Sequence, residues 1–239
     1  MLNKTTHLLV MKQILERIYK NASLAPLLGF KGGSAAMMFY GLNRFSVDLD
    51  FDLLADDDNQ QLWDTVRTKI KTIIETLGVV KESRVKRYTI FSLLSYGDTD
   101  HNVKVEISKR KPAFLTKKHF ELKDHLGLSV QVATPAYLFA SKLVALTNRK
   151  NFANRDVFDV YFYCSKRWNI DEFIIQSLTE KTVKEYLSEC IRVVESVNER
   201  QVLAGLGELL ENEKQKAWVK EHLKEKTLFL LKSYKSALT

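Results

Sequence analysis

Two aspartates, Asp48 and Asp50, stand one residue apart in the stretch Phe45–Leu54, where polar and apolar residues alternate. Such alternation predicts a strand, on which every second side chain projects to the same side. Asp48, Asp50 and Asp52 then share one face, and Leu49, Phe51 and Leu53 the other. Neighbouring carboxylates repel and raise each other's pKa. A hard divalent cation relieves this, and Mg²⁺ takes one or two carboxylates together with substrate phosphates. Asp48 and Asp50 are therefore the candidate metal ligands, for a site in which two ions can activate an attacking oxygen and stabilise a leaving one. Asp52 reads as a solvent-facing polar position. A third carboxylate would have to come from a neighbouring strand. Glu106 is the candidate, in a stretch where Val103, Val105 and Ile107 share one face and Lys104 and Glu106 the other. It reads equally as a third ligand and as an outward-facing acid.

The elements ahead of the acids suit a phosphate. Leu27–Phe30 is a short apolar run fit for a buried strand, Gly32-Gly33 breaks it, and Ser34–Tyr40 suits a helix. A helix start offers unpaired N–H groups and partial positive charge, and glycine lets backbone approach an anion closely. Gly32, Gly33 and Ser34 are thus candidate phosphate ligands, the Ser34 hydroxyl adding a donor. The turn matches neither the Walker nor the dinucleotide-binding pattern. Taken alone, it is also an ordinary tight turn.

The surrounding pattern mixes helices and strands in the first half and is almost wholly helical in the second. Thr5–Tyr19, capped by Thr5 or Thr6, and Leu62–Leu77 have helical periodicity. Arg87–Tyr96 and Asn102–Ser108 read as a hairpin turning at Tyr96–Asp100, and Asp56–Asp58 as an acidic loop. Thr134-Pro135 is a helix start. Asn154 and Asp171 cap the next two helices, and Lys181–Leu210 and Lys214–Leu238 read as two more. Strand content ends between Lys123 and Thr134, which divides the chain into residues 1–130 and 131–239. The expected fold is α+β, a mixed sheet followed by a helical domain.

The chain has 239 residues, 45% of them hydrophobic and 28% charged, enough for a substantial core. Its net charge of +8 favours polyanionic partners. The two cysteines, Cys164 and Cys190, lie in helical stretches without metal-ligand spacing, so neither a disulfide framework nor a zinc knuckle is expected. No apolar run reaches the ~20 residues of a membrane span. A reducing cytoplasm is the expected location, with no membrane partner.

Lys31-Gly-Gly-Ser followed by Arg44-Phe-Ser-Val-Asp-Leu-Asp-Phe51 resembles the nucleotidyltransferase superfamily that includes DNA polymerase β. More closely, it is similar to the AbiEii-type nucleotidyltransferase toxins of bacterial toxin–antitoxin pairs. Those carry a Gly-Gly/Gly-Ser turn, an R-x-S-x-D-x-D-F block, a lysine-bearing helix and an R-D-x-x-D block. Lys142, in Ala140–Leu146, and Arg155-Asp-Val-Phe-Asp159 supply the last two in the same order. The resemblance implies a polymerase β-like nucleotidyltransferase domain with the active site in a cleft against the helical domain. It implies NTP bound by Gly32, Gly33, Ser34, Arg44, Ser46 and Lys142, and Mg²⁺, or Mn²⁺ in its place, held by Asp48 and Asp50, with Glu106 from the strand reading as the candidate third ligand. Glu106 is then also the candidate base. Lys142 would neutralise triphosphate charge, and Asp156 or Asp159 would orient it or the base. On spacing alone Lys142 is a solvated lysine and Asp156 a helix-start acid. The implied reaction moves NMP from NTP to an acceptor hydroxyl, especially the 3′ end of tRNA, releases pyrophosphate and inhibits growth. The implied partner is a cognate antitoxin encoded nearby.

Two rivals have other signatures. A small-molecule acceptor such as a cationic antibiotic would want an acidic cleft. An inactive RNA- or partner-binding module would have no need of Asp48, Asp50 and Lys142. Basic clusters at Lys109–Lys111 and Lys117-Lys118 are candidate RNA contacts. The lysines of the last helix, which flank Trp218, alternate with glutamates and read first as a solvated face.

Overall fold

The computed structural model describes residues 3–55, 59–97, 101–110, 116–149 and 151–238. The acidic run Asp56–Asp58, the hairpin turn residues Asp98–Asp100 and Lys111 lie outside them. The chain divides into two compact units, Met1–Gly41 with Ser46–Ala133, and Leu42–Phe45 with Thr134–Thr239.

The first unit is a seven-stranded mixed sheet with three α-helices among its described residues. The strands are β1 (Leu28–Lys31), β2 (Asp48–Leu53), β3 (Val79–Val85), β4 (Thr89–Ser95), β5 (Asn102–Ser108), β6 (Phe120–His125) and β7 (Leu128–Ala133). Their order across the sheet is β3-β4-β5-β2-β1-β7-β6. β2 runs parallel to β5, and β1 parallel to β7. The other neighbours are antiparallel, including the expected β4–β5 hairpin. α1 (Lys4–Lys20) buries Met11, Ile14, Leu15 and Ile18, and α3 (Gln60–Glu75) buries Val66, Ile70 and Ile74. These stripes join one core with Phe30, Leu49, Phe51, Val103, Val105 and Ile107. Burying each such side chain contributes about 1.5–3 kcal/mol relative to leaving it in water. The acids of β2 and β5 alternate with this core, so the core fixes their direction.

The second unit is helical: α4 (Pro135–Asn148), α5 (Asn154–Ser165), α6 (Glu172–Thr179), α7 (Val183–Glu195) and α8 (Glu213–Ala237). α5 and α7 both pack on α8. Tyr163 stacks on Trp168 with ring centroids 4.6 Å apart. The segment Leu42–Phe45 is tied in by backbone: Phe45 N–H donates to the Leu209 carbonyl at 2.7 Å, and Gln215 Nε2 donates to the Asn43 carbonyl at 2.5 Å. A division made only at residue 130 does not separate this segment from its neighbours in sequence.

Several local expectations need correction. Asn3 caps α1, accepting from Thr6 N–H, in place of Thr5 or Thr6. Asn154 does not cap α5; its amide donates to the Gln201 and Ala204 carbonyls at 2.8 and 3.1 Å. The helix expected over Lys181–Leu210 ends at Glu195, and short 3₁₀ turns follow at Glu199–Gln201 and Gly207–Leu209. Asn198 starts the first of these turns by accepting from Arg200 N–H, and Gly205 takes a left-handed φ of +64° between them. Thr134 and Asp171 cap α4 and α6 as expected. Both cysteines are free and buried. Among the described residues no helix is long and apolar enough to cross a membrane.

Candidate active site

The parallel ladder between β2 and β5 sets Asp48 opposite Lys104 and Asp50 opposite Glu106. Strand alternation turns all four side chains to one face, away from Leu49, Phe51, Val105 and Ile107. The lysine stands among the acids: its Nζ lies 3.2 Å from Asp48 Oδ2 and 3.4 Å from Glu106 Oε2. Burial alone would lower the Lys104 amine pKa, but Asp48, Asp50 and Glu106 together hold it above its ordinary value. Burial pushes the Asp50 carboxyl up, as do Asp48 and Glu106, against the opposing pull of Lys104 and Lys31.

Asp52 departs from the solvent-facing reading. It is buried, 1% exposed, and forms an ion pair with Lys31. The reason is topological. β1 covers β2 on the side away from β5, and its last residue brings the lysine amine to Asp52.

The glycine turn sits against the acids. Gly32 opens α2 (Gly32–Tyr40) with φ +77°, in the left-handed region. A Cβ there would stand 2.8 Å from Asp50 Oδ2. Glycine is thus required twice, for its backbone and for the room it leaves the carboxylate. The first N–H groups of α2, those of Gly32, Gly33 and Ser34, have no partner inside the helix. Ser34 is placed differently from the phosphate donor read from sequence. Its side chain is fully buried and its hydroxyl donates to the Asp48 carbonyl. It fastens the start of α2 to the strand that carries the acids. Ser46 is half-buried in the segment leading into β2.

Lys142, Asp156, Asp159 and Arg44 are brought together in the second unit. Asp159 is wholly buried and accepts from Arg44 Nε at 2.5 Å and Nη2 at 2.6 Å. Arg44 Nη1 donates to the Phe45 carbonyl at 2.9 Å. Lys142 Nζ lies 2.8 Å from both Asp156 Oδ1 and Asp159 Oδ2. Arg149 Nε lies 2.8 Å from Asp156 Oδ2. Burial would raise the Asp159 carboxyl, but Arg44 and Lys142 hold it below its ordinary value. Both aspartates thus fix the lysine amine. The fork of Arg44, read from sequence as nucleotide-binding, is filled by Asp159.

The sequence matches the nucleotidyl transferase AbiEii toxins of the type IV toxin–antitoxin system over residues 13–235. The chain belongs to the AbiEii family. It is accordingly an enzyme, a nucleotidyltransferase, and the toxin of a type IV toxin–antitoxin pair, which implies a nucleotide substrate and an antitoxin partner. Solved structures agree on the fold. A candidate nucleotidyltransferase from Helicobacter pylori superposes with a TM-score of 0.62 at 17% identity, covering 98% of this chain and 95% of that one. The nucleotidyltransferase toxin MenT4 from Mycobacterium tuberculosis gives 0.58 at 18% identity, covering 98% and 86%. No curated protein matches the sequence significantly.

Nucleotidyltransferases of the AbiEii kind generally use a divalent metal. The donor chemistry here fits one: three carboxylates on one sheet face with a single lysine amine among them, and the room kept beside Asp50 by Gly32. Their oxygens do not converge as they stand. Among the described residues no three His, Cys, Asp or Glu side chains are gathered closely enough to hold an ion. Asp48 and Glu106 are both turned to Lys104.

Sequence reading missed two contributors, Lys104 and His7. Lys104 was set on the face of Glu106 and given no role. His7 follows the register of Met11 and Ile14, which marks its face as buried but does not reveal its partners. Its Nε2 lies 2.9 Å from the Val47 carbonyl and its Nδ1 2.5 Å from the Tyr96 hydroxyl. Burial holds its pKa below the ordinary value, so the ring is neutral at pH 7. Nε2–H then donates to Val47, the residue before Asp48. The RNA candidates fare unevenly. Lys109 lies over the Trp63 ring at 3.4 Å and is nearly buried, whereas Lys117 and Lys118 are exposed. Trp218 packs on Tyr161, with centroids 4.9 Å apart.

Proposed function

We propose that this chain moves a nucleoside monophosphate from an NTP to a hydroxyl of RNA, specifically the 3′ end of tRNA, releasing pyrophosphate. The observation that carries this reading is the parallel pairing of β2 with β5, which sets Asp48 and Asp50 beside Glu106 at the glycine-led start of α2. Phosphoryl-type transfer is mainly positioning and charge neutralisation, and these residues are suited to both. Asp48, Asp50 and Glu106 would hold Mg²⁺, with Mn²⁺ as a substitute. A divalent ion bound there supplies positive charge to the phosphates and lowers the pKa of the attacking hydroxyl. The N–H groups of Gly32, Gly33 and Ser34 donate to phosphate oxygens. Glu106 is the candidate acceptor of the hydroxyl proton. Lys142, its amine fixed by Asp156 and Asp159, is the candidate for neutralising triphosphate charge. The net charge of +8 supports a polyanionic acceptor, and the reaction is assigned to the cytoplasm, with a cognate antitoxin encoded nearby.

The test is transfer itself. Wild-type protein and an Asp48→Ala/Asp50→Ala variant are incubated with each α-labelled NTP, Mg²⁺ and total tRNA. The expected result is label in RNA with the wild type alone, from one NTP above the others. Label absent from RNA but present on a small hydroxyl compound would replace the acceptor. Label from the double variant equal to the wild type would remove the site.

A further inference from the structure

The acid cluster carries its own cation. Lys104 rises from β5 between the buried residues Val103 and Val105, so its backbone position is fixed by the core. Its amine reaches both flanking acids, Asp48 at 3.2 Å and Glu106 at 3.4 Å, and opposes the burial that raises Asp50. A lysine amine is a compact point charge on a flexible stem, able to neutralise carboxylates and to swing away. The other nearby amine, that of Lys31, is committed to Asp52. Three carboxylates and one amine leave a formal charge of −2, which one divalent ion would match. The oxygens such an ion would need are those the amine now holds.

We propose that Lys104 is the resident counter-cation of the acid cluster, and that a divalent ion binds Asp48 and Glu106 only by displacing its amine. This rests on the metal-binding reading of those acids given above. Lys104 is a positioning residue. With the metal absent it keeps β2 and β5 from splaying under mutual repulsion of their acids, and it sets how tightly a metal binds. Its own charge weakens that binding, so the chain's affinity for a divalent ion is lower than three carboxylates alone would give. Because the amine is partly exposed, the competition is screened, and removal of its charge is expected to tighten binding about fivefold to tenfold.

The experiment uses full-length protein without NTP and Mn²⁺ as the probe, counted by electron paramagnetic resonance. Lys104→Met is expected to bind Mn²⁺ about fivefold to tenfold more tightly than wild type, and Lys104→Arg to stay close to wild type. Lys104→Met should melt lower than wild type in EDTA and gain more from Mn²⁺. A second measurement needs no variant. The rate at which acetic anhydride modifies Lys104, read by peptide mass spectrometry, should rise at saturating Mn²⁺. Unchanged or weaker Mn²⁺ binding by Lys104→Met overturns the proposal. So does a Lys104 acylation rate indifferent to Mn²⁺, which decides the matter if the methionine variant does not fold. Wild-type binding that Asp48→Asn abolishes, with no effect at Lys104, would sink the counter-cation alone. Wild type that binds no Mn²⁺ would remove the metal-binding reading with it.

Discussion

Replacing Arg44 by methionine tests whether the second unit is held together by charge. Arg44 and Asp159 have side chains only 3% and 0% exposed, joined by two bonds of 2.5 and 2.6 Å. Charge-assisted hydrogen bonds contribute about 1.5–3 kcal/mol each, and breaking a buried pair from one side costs about 3–5 kcal/mol. Lys142, 2.8 Å from the same carboxylate, would still neutralise part of it, which places the expected loss near ~3 kcal/mol. At roughly 2–4 °C per kcal/mol for a chain of this length, the transition should fall by about 6–12 °C. A Trp63→Phe background leaves Trp168 and Trp218, both in the second unit, as the fluorescent reporters. Urea unfolding followed by their emission therefore reads that unit. The pH dependence has a definite sign. The carboxyl of Asp159 is held below its ordinary value in the folded state, so its contribution is complete above the unfolded pKa of about 3.9 and disappears as pH falls through the folded pKa. Wild type should therefore lose stability more steeply than Arg44→Met below about pH 4. A loss under about 1 kcal/mol at pH 7, with parallel acid limbs, would mean that desolvation cancels the attraction and the pair does not secure the segment 42–45.

Ser34→Ala separates two roles. If the hydroxyl serves Asp48, its removal takes a buried donor from the Asp48 carbonyl, and unfolding experiments should show a loss of about 1–2 kcal/mol; unchanged stability with a raised KM for NTP would restore the phosphate-donor role. Gly32→Ala should cost about 1–2 kcal/mol for the left-handed backbone and also lower transfer at least tenfold by crowding Asp50, as checked by melting and RNA labelling. Asp50→Asn should retain a folded sheet by circular dichroism while label transfer falls by about two orders of magnitude or more; transfer within tenfold of wild type would place the essential acids elsewhere.

The sequence made legible what depends on near neighbours. Strand alternation in Asp48–Leu53, the β4–β5 hairpin and the Thr134-Pro135 helix start are local, and the structure contains each of them. What stayed hidden is non-local or shaped by edges. β3 and β6 are the outermost strands, and charges in Val79–Val85 and Phe120–His125 blur their alternation. The tie between Arg44 and Asp159 joins residues 115 apart in sequence. Lys104 was visible as a residue on the acid face, but only the register of β2 on β5 makes it the partner of Asp48. Asp52 was misread because alternation gives a face and does not say what covers it.

The order of strands also sets a timetable for the enzyme's appearance. Asp50 pairs with Glu106, and Phe30 with Val132, so the middle of the sheet is sewn from distant stretches of chain. Such pairings form late, since a long loop must be closed before the contact rewards it. On a ribosome adding about 5–20 residues per second, Glu106 is made about 3–11 s after Asp50. Until β5 docks, Asp48 and Asp50 have neither Lys104 nor Glu106 beside them. On the proposed reading of these acids, the nascent toxin stays inert until translation has run well past them.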